Sequence, residues 1–260
     1  ANAADDALTG EQIVALHLAD KRSDSEMAFI RMNHKVPGAP EREYRFLVVY
    51  QTTATGKSYF LRLIRPKEVE AVTVLANEKS KEDVDYYFFL PAVGKMKQLT
   101  GDARQGAFLG SDYSFEDLLD EMPSWNAYER KEDTEVDGHP CFQVRAIESR
   151  KDGGSAYAYR VLFIDREKHH LRKVDFYGKN ERPVKTLMAS EFGSPEVKGQ
   201  TTRPRRALMT NHESGSTTEF IVVEGRLNEK FDPALFTPDK LEKWSPEEVE
   251  EFIFNLGLTV

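Results

Sequence analysis

Hydrophobic residues recur at every second position through most of the middle of this chain, and short turn signals punctuate the runs. Tyr44, Phe46, Val48 and Tyr50 fall on one face of a strand, and Tyr59, Leu61 and Leu63 on one face of the next, with a Thr-Ala-Thr-Gly turn between them. Tyr86, Phe88 and Leu90 continue the pattern. Phe142, Val144 and Ala146 oppose Cys141, Gln143 and Arg145, while Tyr157, Tyr159, Val161 and Phe163 alternate with Ala158, Arg160, Leu162 and Ile164. Further runs cover Leu171 to Tyr177, Val184 to Phe192, Arg205 to Met209 and Thr217 to Leu227. Asp137-Gly138, Asp152-Gly153-Gly154, Asp165-Arg166-Glu167, Gly178-Lys179-Asn180 and Glu213-Ser214-Gly215 mark the turns. Connections this short join antiparallel neighbours, because a parallel pair needs a crossover of about a dozen residues. The pattern predicts a mainly β (α+β) chain built on an antiparallel meander of roughly ten strands, and so many twisted strands curl into a strongly curved or partly closed barrel.

Helical spacing is confined to three places. Thr9 and Gln12 form a capping box ahead of Ile13, Leu16 and Ala19. Ser114 and Asp117 resemble a weaker box before Leu118 and Leu119, enough for about two turns. Ser245, Pro246 and Glu248 start the third, whose apolar stripe is Val249, Phe252, Ile253 and Leu256. With no linker or repeat to divide the 260 residues, one domain spanning 1–260 is expected.

Composition narrows the function classes. The net charge of −8 disfavours nucleic-acid binding unless the basic residues cluster. The densest cluster, Arg203-Pro204-Arg205-Arg206, is read as balancing neighbouring carboxylates at a strand edge, where its proline is tolerated. The longest stretch without a charge, Phe46 to Gly56, is eleven residues, against about 20 for a spanning helix, so the chain is not membrane-spanning by helix. A transmembrane β-barrel would carry fewer charges within its strands. The start, Ala1-Asn2-Ala3-Ala4-Asp5-Asp6, suits a mature chain after signal-peptide removal, or a chain trimmed there.

Catalytic and metal motifs fail on inspection. Gly56-Lys57-Ser58 lacks the glycine of a phosphate loop five positions earlier, where Gln51 stands. His169 and His170, adjacent in a strand, point to opposite faces; His17, His34, His139 and His212 have no carboxylate or Cys at ligand spacing, so no metal is expected. Cys141 is the only cysteine and reads as a packed thiol. Ser111 lacks a nucleophile-elbow context, and the pairs Glu116-Asp117 and Asp120-Glu121 read as solvated helix surface. No catalytic residue and no cofactor is expected. The irregular stretch Thr100 to Tyr113, with its lone apolar pair Phe108-Leu109, stands out as a long loop with a job.

Around that loop the sequence resembles a known family. Leu90-Pro91-Ala92, Gly94-Lys95, Lys97, then Phe108-Leu109-Gly110-Ser111-Asp112-Tyr113-Ser114 and Glu116-Asp117-Leu118 are similar to the signature of LolA-like outer-membrane lipoprotein-sorting proteins, and Phe231-Asp232-Pro233-Ala234-Leu235-Phe236 resembles the family's ending. The resemblance implies a periplasmic protein with an incomplete, open antiparallel barrel, apolar on its concave side and lidded by helices. It implies binding of lipid or lipoprotein acyl chains and carriage toward the outer membrane, or alternatively a lipid-responsive sensor or transporter accessory; either has an inner- or outer-membrane protein partner. An acyl chain of ~15 methylenes costs on the order of 12 kcal/mol to expose to water, so a carrier must hide it. On that expectation the candidate lining residues are Tyr59, Leu61, Leu63, Phe88, Leu90, Phe142, Val144, Tyr159, Val161, Phe163, Met188 and Val223. Phe108, Leu109, Gly110, Ser111 and Asp112 are the candidate gate or partner loop, with Phe108-Leu109 as a mobile apolar tip.

Overall fold

The computed structural model describes residues 7–20, 23–53, 56–80, 83–119, 123–149, 154–196 and 203–257. Ala1 to Asp6, the Ala54-Thr55 part of the first hairpin turn, Asp120-Glu121 and Asp152-Gly153 lie outside the described residues.

Fourteen strands among the described residues form one antiparallel sheet that does not close. They are β1 (Ser25–Lys35), β2 (Arg42–Thr52), β3 (Lys57–Arg65), β4 (Thr73–Glu78), β5 (Val84–Leu90), β6 (Lys95–Gln98), β7 (Asn126–Arg130), β8 (Thr134–Val136), β9 (His139–Glu148), β10 (Tyr157–Asp165), β11 (Leu171–Gly178), β12 (Pro183–Phe192), β13 (Pro204–Asn211) and β14 (Thr217–Leu227). The spatial order is β6-β5-β4-β3-β2-β1-β14-β13-β12-β11-β10-β9-β7, with β8 also on β9. Every neighbour follows in sequence except β1 beside β14, which joins the two halves, and β9 beside β7, where the short β8 intervenes. The expected strand runs are all present. Those missing from the expectation are short, such as β6 to β8, or carry a broken period, such as β1, whose register shifts between Phe29 and Ile30.

The two edges of the sheet, β6 and β7, are joined by the long loop singled out in the sequence. Its course demonstrates the curvature. Tyr86 on β5 donates its hydroxyl to Phe115 O at 2.8 Å, and Tyr157 on β10 donates to Asp117 Oδ1 at 2.9 Å. β5 and β10 are nine strand intervals apart, about 43 Å across a flat sheet at ~4.8 Å each, whereas Phe115 and Asp117 are separated by at most ~7 Å of chain. The sheet therefore curls around the loop, and the face turned to it is concave.

Both faces are covered unequally. On the concave side, Met32, Phe46, Leu61, Leu63, Val74 and Tyr86 pack with Phe108 in one half, and Phe142, Val144, Leu162, Ile164, Val174 and Phe176 pack with Tyr113 in the other. Helix α1 (Gly10–Asp20) closes the second half; Thr9 Oγ1 and Gln12 Oε1 each accept the other residue's backbone N–H, the expected capping box. Its buried face is Ile13, Val14 and His17, with Leu16 only half-buried and Ala19 exposed, so the helix is rotated from the expected stripe toward its anchor, a hydrogen bond of His17 Nδ1 with His169 O at 2.8 Å. On the convex side the C-terminal segment, with α2 (Pro238–Lys243) and α3 (Pro246–Asn255), lays Leu241, Trp244, Val249 and Ile253 over Met27, Phe60 and Leu75. The Ser245–Glu248 capping box is complete, and α3 buries the expected stripe. Arg62, buried on β3, ties this segment down by donating to Thr73 Oγ1 and to the carbonyls of Leu241 and Trp244; burial lowers its pKa to about 10.

Three further expectations change. Ser114 to Leu119 is a single 3-10 turn over Glu116–Leu118 rather than two helical turns, because the Phe115 and Leu118 carbonyls are held by Tyr86 and Tyr59 on one wall of the barrel and the Asp117 side chain by Tyr157 on the other. Pro204 is the first residue of β13, an interior strand, a position that needs no ladder donor; Arg203, Arg205 and Arg206 pair with Glu26, Glu191 and Glu219 at 2.7 to 2.8 Å, as the charge-balancing reading held. His169 and His170 sit in the turn after β10, where His169 takes a φ of 51° and His170 stacks on Phe192.

Candidate functional site

The loop signature anchors rather than dangles. Phe108 is fully buried, its ring 5.7 Å from both Phe46 and Phe115, so the apolar pair is not an exposed tip; Leu109 beside it is half-buried in a left-handed conformation, φ 52°. Asp112 is buried against the sheet. Its carboxylate accepts from Ser216 Oγ and from Thr218 Oγ1 at 2.7 Å, and its backbone N–H donates to Thr218 Oγ1 at 3.0 Å. Thr218 Oγ1 also lies 2.8 Å from His34 Nδ1, which is 3.5 Å from Asp112 Oδ2.

Glu116 and Asp117, expected on a solvated surface, face inward. The Asp117 side chain is 3% exposed and accepts from Ser114 N at 2.7 Å, from the Tyr157 hydroxyl and from Lys185 Nζ at 2.6 Å. Lys185 also donates to Asp112 O at 2.9 Å and lies over the rings of Tyr157 and Phe176. Burial pushes the Tyr157 hydroxyl pKa up, reinforced by the Asp117 charge beside it.

Next to these anchors, between α1, the loop and the concave face of β9 to β12, lies a cavity of about 180 Å³. Val14 and His17 line it from α1, Leu119 from the loop, and Ala146, Leu162, Val174, Phe176 and Leu187 from the sheet. Arg104, Glu116, Trp125, Asn126, Glu148 and Arg160 bring polar and charged groups to the same space. Periodicity singled out none of these polar residues; the inward position of Glu148 and Arg160 follows only from their register with Ala146 and Phe176.

The twelve candidate lining residues divide by face. Tyr59, Leu61, Leu63, Phe88, Phe142 and Val144 lie on the concave side, and the Tyr59 hydroxyl donates to Leu118 O at 2.8 Å. Val161 and Phe163 pack with Met188 on the convex side beside Cys141; Tyr159 packs against them and also borders the cavity, as expected of it. Leu90 and Val223 are exposed. In β10 it is Leu162 and Ile164, the alternate set, that face inward. Cys141 is buried, and burial raises its thiol to about 11, consistent with a packed residue. No group of three or more His, Cys, Asp or Glu among the described residues is placed to hold a metal ion, and no described helix is long and apolar enough to cross a membrane.

Burial holds the Glu116 carboxyl above its ordinary 4.5, against the Ala156 N–H that donates to Oε1 at 2.9 Å. A raised carboxyl binds its proton more tightly in the folded state, so its contribution to stability declines as pH rises above that value. Glu116→Gln keeps an acceptor for Ala156 and removes the decline. Urea unfolding across this range should show a flatter profile and no loss of stability at neutral pH; a less stable variant at neutral pH would count against this account.

This architecture, an open antiparallel sheet curled around an edge-to-edge loop, is shared with solved structures that carry lipoprotein-sorting and LolA superfamily names. It superimposes on a Vibrio parahaemolyticus structure that carries the name of an outer-membrane lipoprotein-sorting protein domain, with a TM-score of 0.82 at 21% identity over 90% of this chain and 98% of that one. A LolA superfamily protein from Nitrosomonas europaea gives 0.71 at 18% identity over 90% and 99%. A family model described as "Uncharacterized protein" matches residues 55–243, and the chain belongs to that family. No curated protein matches the sequence.

Proposed function

We propose that this protein is a periplasmic carrier, a single open-barrel unit that holds acyl chains of lipids or lipoproteins against its concave face and passes them toward the outer membrane. One observation carries the reading: the apolar concave face is covered by a loop and a helix rather than by paired strands, so uncovering it moves side-chain contacts and leaves the backbone ladders intact. Tyr59, Leu61, Leu63, Phe88, Phe142 and Val144 are the proposed contacts, and the Phe108 to Asp112 segment the wall that closes over them. The closed cavity is smaller than the ~300 Å³ at which drug-sized sites begin, so loading requires α1 or the loop to yield. Fold likeness to proteins named for lipoprotein sorting supports this reading, as does the energetic need to shield a chain in transit. Delivery through specific membrane-protein partners suits the −8 charge, which disfavours adhesion to anionic lipid surfaces.

Native mass spectrometry of protein purified from its own periplasm, with lipid extraction, tests the proposal. Co-purifying acyl species, displaceable by added long-chain lipid, are expected. An empty protein that also takes up no added acyl lipid would overturn it.

A further inference from the structure

The turn between β5 and β6 is apolar and stands in solvent. Leu90-Pro91-Ala92-Val93 are four consecutive exposed residues, and Leu90 and Val93, 38% and 48% exposed, are two of the four large apolar side chains exposed among the described residues. Leu90 continues the inward row of β5, so exposure climbs from Tyr86 through half-buried Phe88 to the tip. A Cβ at Gly94 would meet nothing within 4 Å, so the turn projects clear of its neighbours. The turn also closes its own hydrogen bonds: Pro91 has no N–H, Val93 N donates to Leu90 O at 2.9 Å, and Gly94 N donates to Pro91 O at 3.0 Å.

Two exposed lysines flank this tip. Lys95 is paired with Leu90 and Lys97 with Phe88 across the hairpin, so both lie on the face that carries Leu90. Neither has an ion pair or a side-chain hydrogen bond among the described residues. The eight residues from Leu90 to Lys97 thus carry two positive charges and no negative one, in a chain whose net charge is −8. Met96, between the lysines, faces the other way, packs against the convex core and donates its N–H to Glu242 Oε1 at 2.6 Å. That contact fixes the hairpin and takes up a donor on the outer edge of β6, so the surface on offer is the tip rather than a strand edge awaiting another strand. A fluid bilayer accepts a projecting apolar tip without a matching groove, and anionic head groups complement cations that the chain itself leaves unpaired. A turn whose N–H groups are bonded within itself loses little on leaving water.

We propose that the β5–β6 tip seats this protein on an anionic lipid surface, with Leu90, Pro91 and Val93 entering the interface and Lys95 and Lys97 lying among the head groups. The net charge of −8 opposes adhesion of the remaining surface, so the contact is weak and reversible and turns the β5–β6 end toward the bilayer. The proposal goes beyond the carrier reading, since seating needs no cargo.

Sedimentation with phosphatidylcholine vesicles, prepared with and without phosphatidylglycerol, tests it. Binding should be tighter with phosphatidylglycerol and should vanish toward ~1 M salt, where the Debye length is ~3 Å. Lys95→Gln combined with Lys97→Gln should weaken it about 25-fold, about fivefold for each lysine near the surface. Val93→Ser should weaken binding and leave its salt dependence in place. An environment-sensitive fluorophore on Val93→Cys should shift to the blue on vesicles, and one on Asp83→Cys, in the β4–β5 turn at the opposite end of the strand, should not; Cys141 is buried and stays unlabelled. The lipid and salt series uses the unsubstituted chain, so a variant that folds poorly does not decide the matter. Equal binding with and without phosphatidylglycerol, no binding to either, or a shift at Asp83 instead of Val93 would overturn the proposal. Uptake of lipid from the vesicles without sedimentation would overturn it as well and leave the carrier reading standing.

Discussion

Replacing Lys185 with Met should cost about 3–5 kcal/mol of stability and lower the unfolding midpoint by about 10 °C in a chain of this size. The Lys185 and Asp117 side chains are 11% and 3% exposed and 2.6 Å apart. Without the ammonium, the Asp117 carboxylate stays buried with only the Ser114 N–H and the Tyr157 hydroxyl, and Asp112 O loses its donor. The penalty arises from stranding a charge, not from the net worth of the pair. Lys185→Met combined with Asp117→Leu should therefore recover much of the loss. Thermal unfolding of the single and double variants measures this directly; a single-variant loss under about 1 kcal/mol would show that the pair does not anchor the loop.

The second large effect separates two adjacent residues of the signature. Phe108→Ala should cost about 3–5 kcal/mol, because the ring is enclosed by Phe46, Phe115 and the β1 to β5 half of the concave face and its loss leaves a void. Leu109→Gly should change stability by less than about 1 kcal/mol, since relief of the left-handed backbone offsets the lost half-buried contact. Denaturant midpoints for the two variants decide it. Equal costs would mean that Phe108 packs no more tightly than its neighbour. If the loop closes over cargo as proposed, Leu109→Ser is the variant in which lipid loading can fall without loss of the fold.

Much of the architecture is visible in the residues. Alternation with short turns places β2, β3, β9 to β12 and β14, and the capping boxes at Thr9 and Ser245 place α1 and α3, because these signals are local: a side-chain direction, a turn geometry, a hydrogen bond three residues away. The unusual loop is also visible, since its residues obey neither period. Where those signals break, at the bulge in β1 or in three-residue β8, the strands escape notice.

The site was less accessible to the same reading, for a physical reason. Alternation divides a strand into two sets and is silent on which set faces inward, so Val161 and Phe163 exchange places with Leu162 and Ile164 once the sheet curls. Glu116 and Asp117 look like ordinary surface acids until the curl brings Lys185 and Tyr157, distant in sequence, against them. Local chemistry alone thus determined an antiparallel sheet, its capped helices and an irregular loop with a job. The direction of curvature, the concave cavity and the pairing of its charges were decided by tertiary structure, because each depends on which distant strands the loop draws together.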